Sequence, residues 1–560
     1  MGGLNNKSKL KDIKHTSEVK NGFNLEYSYK NNFEEIIFIP LILDQILQFI
    51  NDNDKQNLYL CNKKFYQLYC NQITKIQIYY QNINKSNKSR IINVLNKYKN
   101  LEYLEINDCN DISFLNENYN IKSLNLRGNK NSNLIIKDFS PLYKLDKLEI
   151  LSINFADISD ISFLKNLINI KELHLNLHSS IIINDITPIS YLKKLEILEV
   201  CKTKIYNFSF LENMKQIKTL KLESPIQDYI PISKLEELEI LDLHNSEQSA
   251  TLCDISFLER NKNIKNLYIN YYRTIKNYSP ISKLDKLEIL NVCETNINDI
   301  SFLANNKNIK NLNLSCCLWI KNLYPISNLD KLEILNISNI FIIDISFLEK
   351  NINIKNLDLS YCHQIKDYSP ISQLANLEIL NVSYTNINDI SFIENNKNIK
   401  ELLISGNEKD KNQITDYSPI SKLEKLENLD ISETNIDDIS FLEKNKNIKK
   451  INLYRCKNIK NFMPLSNLVK LENLKVNNTN ISDISFLEKA KNIKYLDLSF
   501  TLITDISSIS NLDKLEFLNV SYTKITDVSF LEKNVNLKEL YILDCKVKKP
   551  KFKRKIIIYK

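Results

Sequence analysis

The sequence repeats itself. Asp-Ile-Ser-Phe-Leu occurs seven times, beginning at Asp111, Asp160, Asp254, Asp299, Asp344, Asp438 and Asp483, with near-copies from Asn207, Asp389 and Asp527. The Phe of each copy marks one period, and the usual step is 45 residues. A second marker falls between them: Pro141, Pro188, Pro231, Pro280, Pro325, Pro370, Pro419 and Pro464, with Ser508 in the last place. From this marker to the next Phe is 22 residues in all cases but one, so the period is two alternating repeats of about 22 and 23. A chain of 560 residues could hold several domains. A fixed short period implies stacked copies of one small unit, none of which can bury its apolar face alone.

Each repeat has the form L-x-x-L-x-L-x-x-(Thr/Cys/Asn)-x-x-Ile, as in Leu377, Leu380, Val382, Thr385 and Ile387. Its partner is Ile354, Leu357, Leu359, Cys362 and Ile365, with one more residue before the Ile. In L-x-L the outer two side chains point to one side of a strand and the middle one to the other. The apolar side is the core; the middle position is mostly Asn or Asp, as at Asn313, Asn381, Asp430 and Asp497.

This pattern resembles the leucine-rich repeat, in the 22-residue form found in internalins and phosphatase-regulatory leucine-rich proteins. The resemblance covers roughly four-fifths of the chain. It implies an α/β solenoid, a leucine-rich repeat horseshoe of about 20 parallel strands running from Leu101 to about Val547. It makes the Thr/Cys position a turn where a small polar group satisfies buried backbone. Cys109, Cys317, Cys362, Cys456 and Cys545 are then ladder residues, neither ligands nor nucleophiles.

The DISFL motif reads as a helix start. Ser346 to Glu349 fits a capping box, with the Ser as cap and the Glu reaching back, and Ser440 with Glu443 repeats it. Ser279-Pro280, Ser369-Pro370 and Ser418-Pro419 put Pro at the first helical position, where its missing N–H costs little. Both repeats thus end in a short helix or turn on the convex side, with the Phe residues in an internal row. On this reading Asp430, at the middle of L-x-L, and Ser432 and Glu433 after it are free to recognise a partner.

Composition excludes much else. The chain has five Gly, and only Gly2 and Gly3 are neighbours, so no phosphate-cradling loop is present. Its 11 Cys include no CxxC pair. His174 and His178 share the strand segment LHLNLH, where that spacing is about 13 Å, too far to share a metal. No base repeats beside the Asp-Ser pairs, and G-x-S-x-G and H-E-x-x-H do not occur. No enzyme activity, cofactor or metal is expected.

Net charge is +8, yet Lys546 to Lys560 holds eight Lys or Arg and no acid. The rest is balanced at 67 basic (75 less 8) against 67 acidic residues, which argues against a nucleic-acid surface built on overall charge. The basic tail could serve nuclear import or simply cap the last repeat. The longest apolar run, Ile36 to Ile50, is broken by Pro40, Asp44 and Gln45 and cannot span a membrane. The N-terminus lacks the apolar core of a signal peptide, so a cytoplasmic monomer is expected.

Before the repeats, Phe38 to Tyr69 reads FIPLILDQILQFINDNDKQNLYLCNKKFYQLY. Pro40 leads Leu43, Ile46, Leu47 and Ile50 at helical spacing; a polar break precedes Leu58, Leu60, Cys61, Phe65 and Leu68. This resembles an F-box, with Lys63-Lys64-Phe65 at its end. It departs at Ile39, where Leu is usual, and at Ile42, where an acid is often found. The resemblance implies docking of Pro40, Leu43, Ile46, Leu47, Ile50 and Leu58 on the linker subunit of a cullin-type ubiquitin ligase. The alternative is a helical cap for the solenoid. The Asn-, Lys-, Ile- and Tyr-rich style is similar to proteins of giant viruses and amoebae.

The expected organisation is a disordered tail over 1–33, the F-box-like segment over 34–72, a connector and cap over 73–100 with a strand at 73–80 and a helix at 89–99, the solenoid over 101–547 and the basic tail over 548–560. Partners would bind the concave face. Its exposed aromatic residues are Phe155, Tyr268, Tyr271, Tyr361, Tyr384, Tyr454, Phe500, Tyr522 and Tyr541, with Tyr361/Tyr384 and Phe500/Tyr522 on neighbouring strands. Buried aromatic anchors carry most interface energy; aromatic pairs also simply stabilise sheets. The function expected is a non-catalytic adaptor that recruits substrates to the ligase, with a scaffold or regulatory subunit as the alternative.

Overall fold

The computed structural model describes residues 23–29, 73–80 and 100–559, apart from short stretches at 108–110, 118–119, 129–135, 137, 157, 178–180, 225, 245–251, 407–413, 548–551 and 554. The chain divides into two compact blocks, Met1–Thr251 and Leu252–Lys560. Each is a solenoid of parallel strands stacked in chain order.

In the first block, strands run in parallel from Ile73–Tyr80 through Tyr103–Asn107 to Ile240–Asp242. In the second they run from Asn266–Tyr268 to Ile557–Tyr559. Among the described residues the repeat strands number seven in the first block and thirteen in the second, as the period requires.

Two elements correct the expected organisation. Phe23–Tyr29, in the stretch read as disordered, is a strand antiparallel to Ile73–Tyr80. Its sequence FNLEYSY alternates apolar and polar residues, the pattern of a half-buried strand. Ile557–Tyr559, inside the stretch read as a tail, continues the parallel ladder beside Glu539–Tyr541. The apolar run Ile556-Ile557-Ile558 suits a strand closing the array.

The core follows the repeat. Leu377, Leu380, Val382 and Ile387 are buried. Thr385 Oγ1 donates to the Val382 carbonyl at 2.7 Å, and Thr295, Thr434, Thr479, Thr501 and Thr523 do the same in their own repeats. The thiols of Cys317, Cys362, Cys456 and Cys545 reach a carbonyl of the preceding repeat at 3.0–3.2 Å. This is the ladder that the small-residue position implied. Cys109 lies outside the described residues.

The return segments are 3-10 turns, and no α-helix occurs among the described residues. Of the short helix or turn expected here, the chain forms the turn. A repeat of 22 or 23 residues leaves about five for the return, as in Ser346–Lys350, too few for an α-helix to gain from its later hydrogen bonds. The capping box is corrected. The N-cap residue is Ile345, not Ser346, and no side chain caps it. Asp344 instead takes the Ser346 N–H at 2.8 Å and its hydroxyl at 3.0 Å. An ionised carboxylate is the stronger acceptor and claims the first amide of the turn. Pro at the start of the alternate turns is as expected, at Pro280, Pro370 and Pro419.

The Phe row is buried at Phe114, Phe163, Phe347 and Phe486, while Phe392 and Phe530 are half-buried. It is shared with aromatic residues of the alternate repeats: Tyr368 stacks on Phe392 and Tyr417 on Phe441, with centroids 5.9 and 6.3 Å apart.

A second buried ladder gave no sequence expectation. Asn306 is fully buried, and its amide donates to the Ile281 and Leu284 carbonyls of the preceding turn at 3.0 and 3.1 Å. Asn351, Asn396, Asn445 and Asn534 repeat the clamp. Each Asn satisfies carbonyls that the end of a short turn leaves without an internal partner.

Candidate functional site

The residues that could meet a partner are those on the open face of the strands, the face the resemblance makes concave. A three-residue strand such as Ile379–Asn381 buries its middle residue, Leu380, and presents the two flanking ones half-buried. The face therefore carries two rows, because residues two apart share a side. Sequence reasoning used only the Asn381 row and missed the Ile379 row. The same alternation, counted one step back, would have found it. In the second block that row runs Ile289, Asn311, Ile334, Asn356, Ile379 and on to Tyr495 and Phe517.

The Asn381 row is less free than expected. Asp430 Oδ1 accepts from the Ser432 N–H at 2.9 Å, the Ser432 hydroxyl at 2.6 Å and the Ser405 hydroxyl at 2.9 Å. Asp430 Oδ2 takes the Asn452 amide at 2.9 Å, and Glu433 pairs with Arg455 at 3.2 Å. The expectation that Asp430, Ser432 and Glu433 are free to recognise a partner is overturned for all three. Asn313, Asn336, Asp358, Asn381 and Asp497 likewise accept the N–H two residues on. Short polar side chains do this readily, and here the bond turns the chain off its strand. The recurrent D/N-x-S after the Leu was the sequence signal.

The aromatic residues are what remains. Tyr361 and Tyr384 stack at 4.7 Å with 14° between planes, and His363 meets Tyr361 edge-on. Phe500 and Tyr522 stack at 4.3 Å. On the same two strands Tyr495 stacks on Phe517 at 4.2 Å, and beyond them Tyr541 stacks on Tyr559 at 4.1 Å. Phe517 and Tyr541 join the two pairs at 5.2 Å. Six aromatic rings thus line the end of the second block. Tyr268 ends the strand Asn266–Tyr268 and Tyr271 occupies the turn after it; both are half-buried.

The turn residues share a backbone peculiarity. Phe155, Tyr271, Tyr361, Tyr384, Phe500 and Tyr522 all have positive φ, between 55° and 70°. Bulky side chains pay strain there that Gly and Asn largely avoid. Gly406 stands at the same register, its N–H bonded to Ser432 O as the Tyr384 N–H is to Ser405 O. The fold accepts Gly at this position, and the aromatic side chains are kept despite their cost. Phe500, Tyr522 and Tyr361 are about half exposed, at 51%, 46% and 47%.

A family model for "Leucine Rich repeats (2 copies)" matches residues 469–511. The fold is that of leucine-rich repeat solenoids. Among solved structures, an internalin, inlF of Listeria monocytogenes, is 26% identical over 54% of this chain and 87% of its own, with a TM-score of 0.47. The Leptospira interrogans leucine-rich repeat protein LIC12759 is 20% identical over 74% of this chain and 94% of its own, with a TM-score of 0.48. TLR13, solved in complex with ssRNA13, is 18% identical over 78% of this chain and 76% of its own, with a TM-score of 0.52. The likeness to TLR13 is one of fold. A comparison with curated proteins finds no match.

The strands of this leucine-rich repeat fold also carry charge. In the first block His174 Nδ1 lies 2.9 Å from Glu199 Oε2 and its Nε2 3.8 Å from Glu172, while Lys221 holds the other Glu199 oxygen at 3.0 Å. The hydrogen bond His174 donates to Glu199 raises the His174 pKa, and the same bond pulls Glu199 down to about 2. His174 and Glu199, with Asn125, Asn154 and Tyr103, line a hollow of about 290 Å³. His178 lies outside the described residues, so the proposed spacing from His174 has no measured counterpart. Among the described residues no group of three or more His, Cys, Asp or Glu could hold a metal. Burial pushes the Cys317, Cys362 and Cys456 thiols up to about 11, away from thiolate chemistry.

Pro40, Leu43, Ile46, Leu47, Ile50 and Leu58 of the F-box-like segment lie outside the described residues, as does the helix expected at 89–99. Among the described residues no helix is long and apolar enough to cross a membrane.

Proposed function

We propose that the protein is a non-catalytic binding solenoid that holds a protein partner on the open face of the strands in Leu252–Lys560. The observation that carries this is the aromatic surface built by Tyr495, Phe517, Phe500 and Tyr522, two stacked pairs on one pair of strands. Rigid, half-exposed rings present large contact area with little side-chain entropy left to lose, which is what an interface anchor needs. The polar residues around them are already engaged in turns, so specificity falls to the rings. Affinity capture from lysate with the full chain, against an F500G/Y522G variant, tests the reading. Retention of every partner by the variant, at unchanged affinity, overturns it.

The finer reading is that this partner is a substrate delivered to a cullin-type ubiquitin ligase. It rests on the F-box-like stretch Phe38 to Tyr69 preceding the solenoid and implies a cytoplasmic or, through the basic tail, nuclear site of action. Co-purification of the full chain with the ligase linker subunit, lost in P40A/L43A, supports it. No binding by the intact protein sinks it and leaves the scaffold reading, in which P40A/L43A keeps the solenoid's partner.

A further inference from the structure

The repeats can be compared with one another, and two consecutive repeats of the second block break their own rule. At the turn after the ladder position the chain carries Arg273, His363 and Lys457, but Leu318 in the repeat between the first two. Next to these stand Thr274, Gln364 and Asn458, but Trp319. In the alternate repeats Asn296, Asn386 and Asn480 become Phe341, and Asn298, Asn388 and Asp437 become Ile343. Ser279, Ser369 and Ser418 become Tyr324. Every departure replaces a polar side chain by a large apolar one.

These replacements give up bonds. Asn296, Asn386 and Asn480 each donate to a carbonyl of the preceding repeat at 2.7–2.8 Å. Thr274 donates to Leu252 O at 2.7 Å. Phe341 has no such donor to offer at its place. Nor is burial gained in exchange: Trp319, Phe341 and Ile343 remain 60%, 61% and 59% exposed, and Tyr324 56%. Neighbouring repeats show that polar residues serve the fold at all these positions. A cluster of exposed apolar residues on a soluble face marks an interaction site.

The cluster has a shape and a charge. Tyr324, Phe341, Ile343 and Lys321 line a groove of about 220 Å³. Lys350 lies over the Tyr324 ring at 5.3 Å and donates to its hydroxyl at 3.0 Å. Lys321 and Lys366 occupy the Ile343 register in the repeats on either side of it, and neither makes an ion pair among the described residues. The acid in the lining, Asp344, has one oxygen on the Ser346 N–H and the other on its hydroxyl. The groove thus joins large apolar side chains to polar ones, with Lys321 among its lining and Lys350 at Tyr324.

We propose that this groove, on the flank of the repeats and apart from the strand face, docks an acidic polypeptide segment of a partner protein. The segment's aromatic or aliphatic side chains would fill the groove beside Phe341, and its carboxylates would meet Lys321, Lys350 and Lys366.

Trp319 is the one Trp of the chain, so its emission reports on the patch. The probe is a short synthetic peptide alternating Phe or Leu with Asp or Glu, titrated into the full chain; the control carries Lys in place of the acids. The acidic peptide should give a saturable blue shift that weakens with salt, and the control should not. F341N/I343N and Y324S restore the residues of sibling repeats and should fold, with affinity lower by about tenfold or more. K321E/K366E should lose the acidic peptide and gain the control. The proposal is overturned if both peptides act alike, if F341N/I343N and Y324S bind as tightly as the parent, or if the emission shifts with protein concentration alone, which would make the occupant a second copy.

Discussion

Asp438 accepts both the backbone N–H and the hydroxyl of Ser440, at 2.9 and 2.7 Å. The same two bonds join Asp254 to Ser256, Asp299 to Ser301 and Asp389 to Ser391. The most repeated motif in the chain is therefore a device for starting a turn. It follows that Asp438→Ala costs about 1 kcal/mol, as loss of a capping acceptor does, while Asp438→Asn, which keeps an acceptor oxygen, costs less. Hydrogen exchange at the Leu442 amide, which closes this turn on Ile439 O at 3.1 Å, should quicken in the first variant more than in the second. Equal protection in both would refute the role.

The asparagine clamp makes a larger claim. Asn396 is fully buried and donates to Ile371 O and Leu374 O at 3.0 and 2.9 Å. Asn396→Ala strands two buried carbonyls and should destabilise the second block by about 2 kcal/mol. Among the DISFL-type repeats of the second block one lacks the clamp: Ala490 stands at the Asn445 position. Ala490→Asn should raise stability by up to about 1 kcal/mol, the scale of other consensus changes. Denaturant unfolding measures both, and a stabilising Asn396→Ala would show that the buried amide is a burden to the fold.

The first block should respond to pH at both ends. Glu199 is held at about 2 by its hydrogen bond to His174, below its ordinary 4.5. Its contribution is present above the ordinary value and is lost as pH falls from there toward 2. His174 is raised above its ordinary 6.5, chiefly by Glu199. Its contribution is complete below 6.5 and is lost as pH rises through the raised value. The strand pair carrying them should be most protected between the two limits. Glu199→Gln should lower the His174 pKa, since burial, which disfavours the imidazolium, then opposes only Glu172. Imidazole titration by NMR reads this directly, and an unmoved His174 would dissociate the pair.

The period, the strand count and the buried Leu and Thr/Cys positions were legible because each is set by alternation along a strand, which a sequence displays. What was misread lies at the strand ends. The pattern S-x-x-E at Ser440 and Glu443 is common to a capping box and to this turn; only the distance from Asp438 separates them. Asp430 looked variable and therefore available, yet its oxygens serve Ser432, Ser405 and Asn452. Such bonds cross from one repeat to the next and have no local signature. Tyr495 and Phe517 were overlooked for a simpler reason: the second row of a strand face was not counted. The departures at Trp319, Phe341 and Ile343 were open to view from the start, since the repeats themselves supply the comparison.

The positive-φ aromatics allow fold and binding to be separated. Phe500 and Tyr522 sit at φ 56° and 58°. Replacing each with Gly removes backbone strain of about 1 kcal/mol and forfeits a ring stack worth about 0.5–1.5 kcal/mol. The two effects oppose, and the register already accepts Gly406 in another repeat. F500G/Y522G should therefore unfold within about 1 kcal/mol of the parent. Binding has no such compensation: truncating interface anchors removes about 2 kcal/mol or more, roughly thirtyfold in affinity. Tyr361 and Tyr384, the stacked pair farther up the same block, supply the internal comparison. If Y361G/Y384G weakens capture of the same partner as strongly, the partner spans both pairs; if only F500G/Y522G does, it is held at the end where Tyr495 and Phe517 extend the surface. Unchanged capture by both variants, at unchanged stability, would remove the aromatic rows from the binding surface altogether.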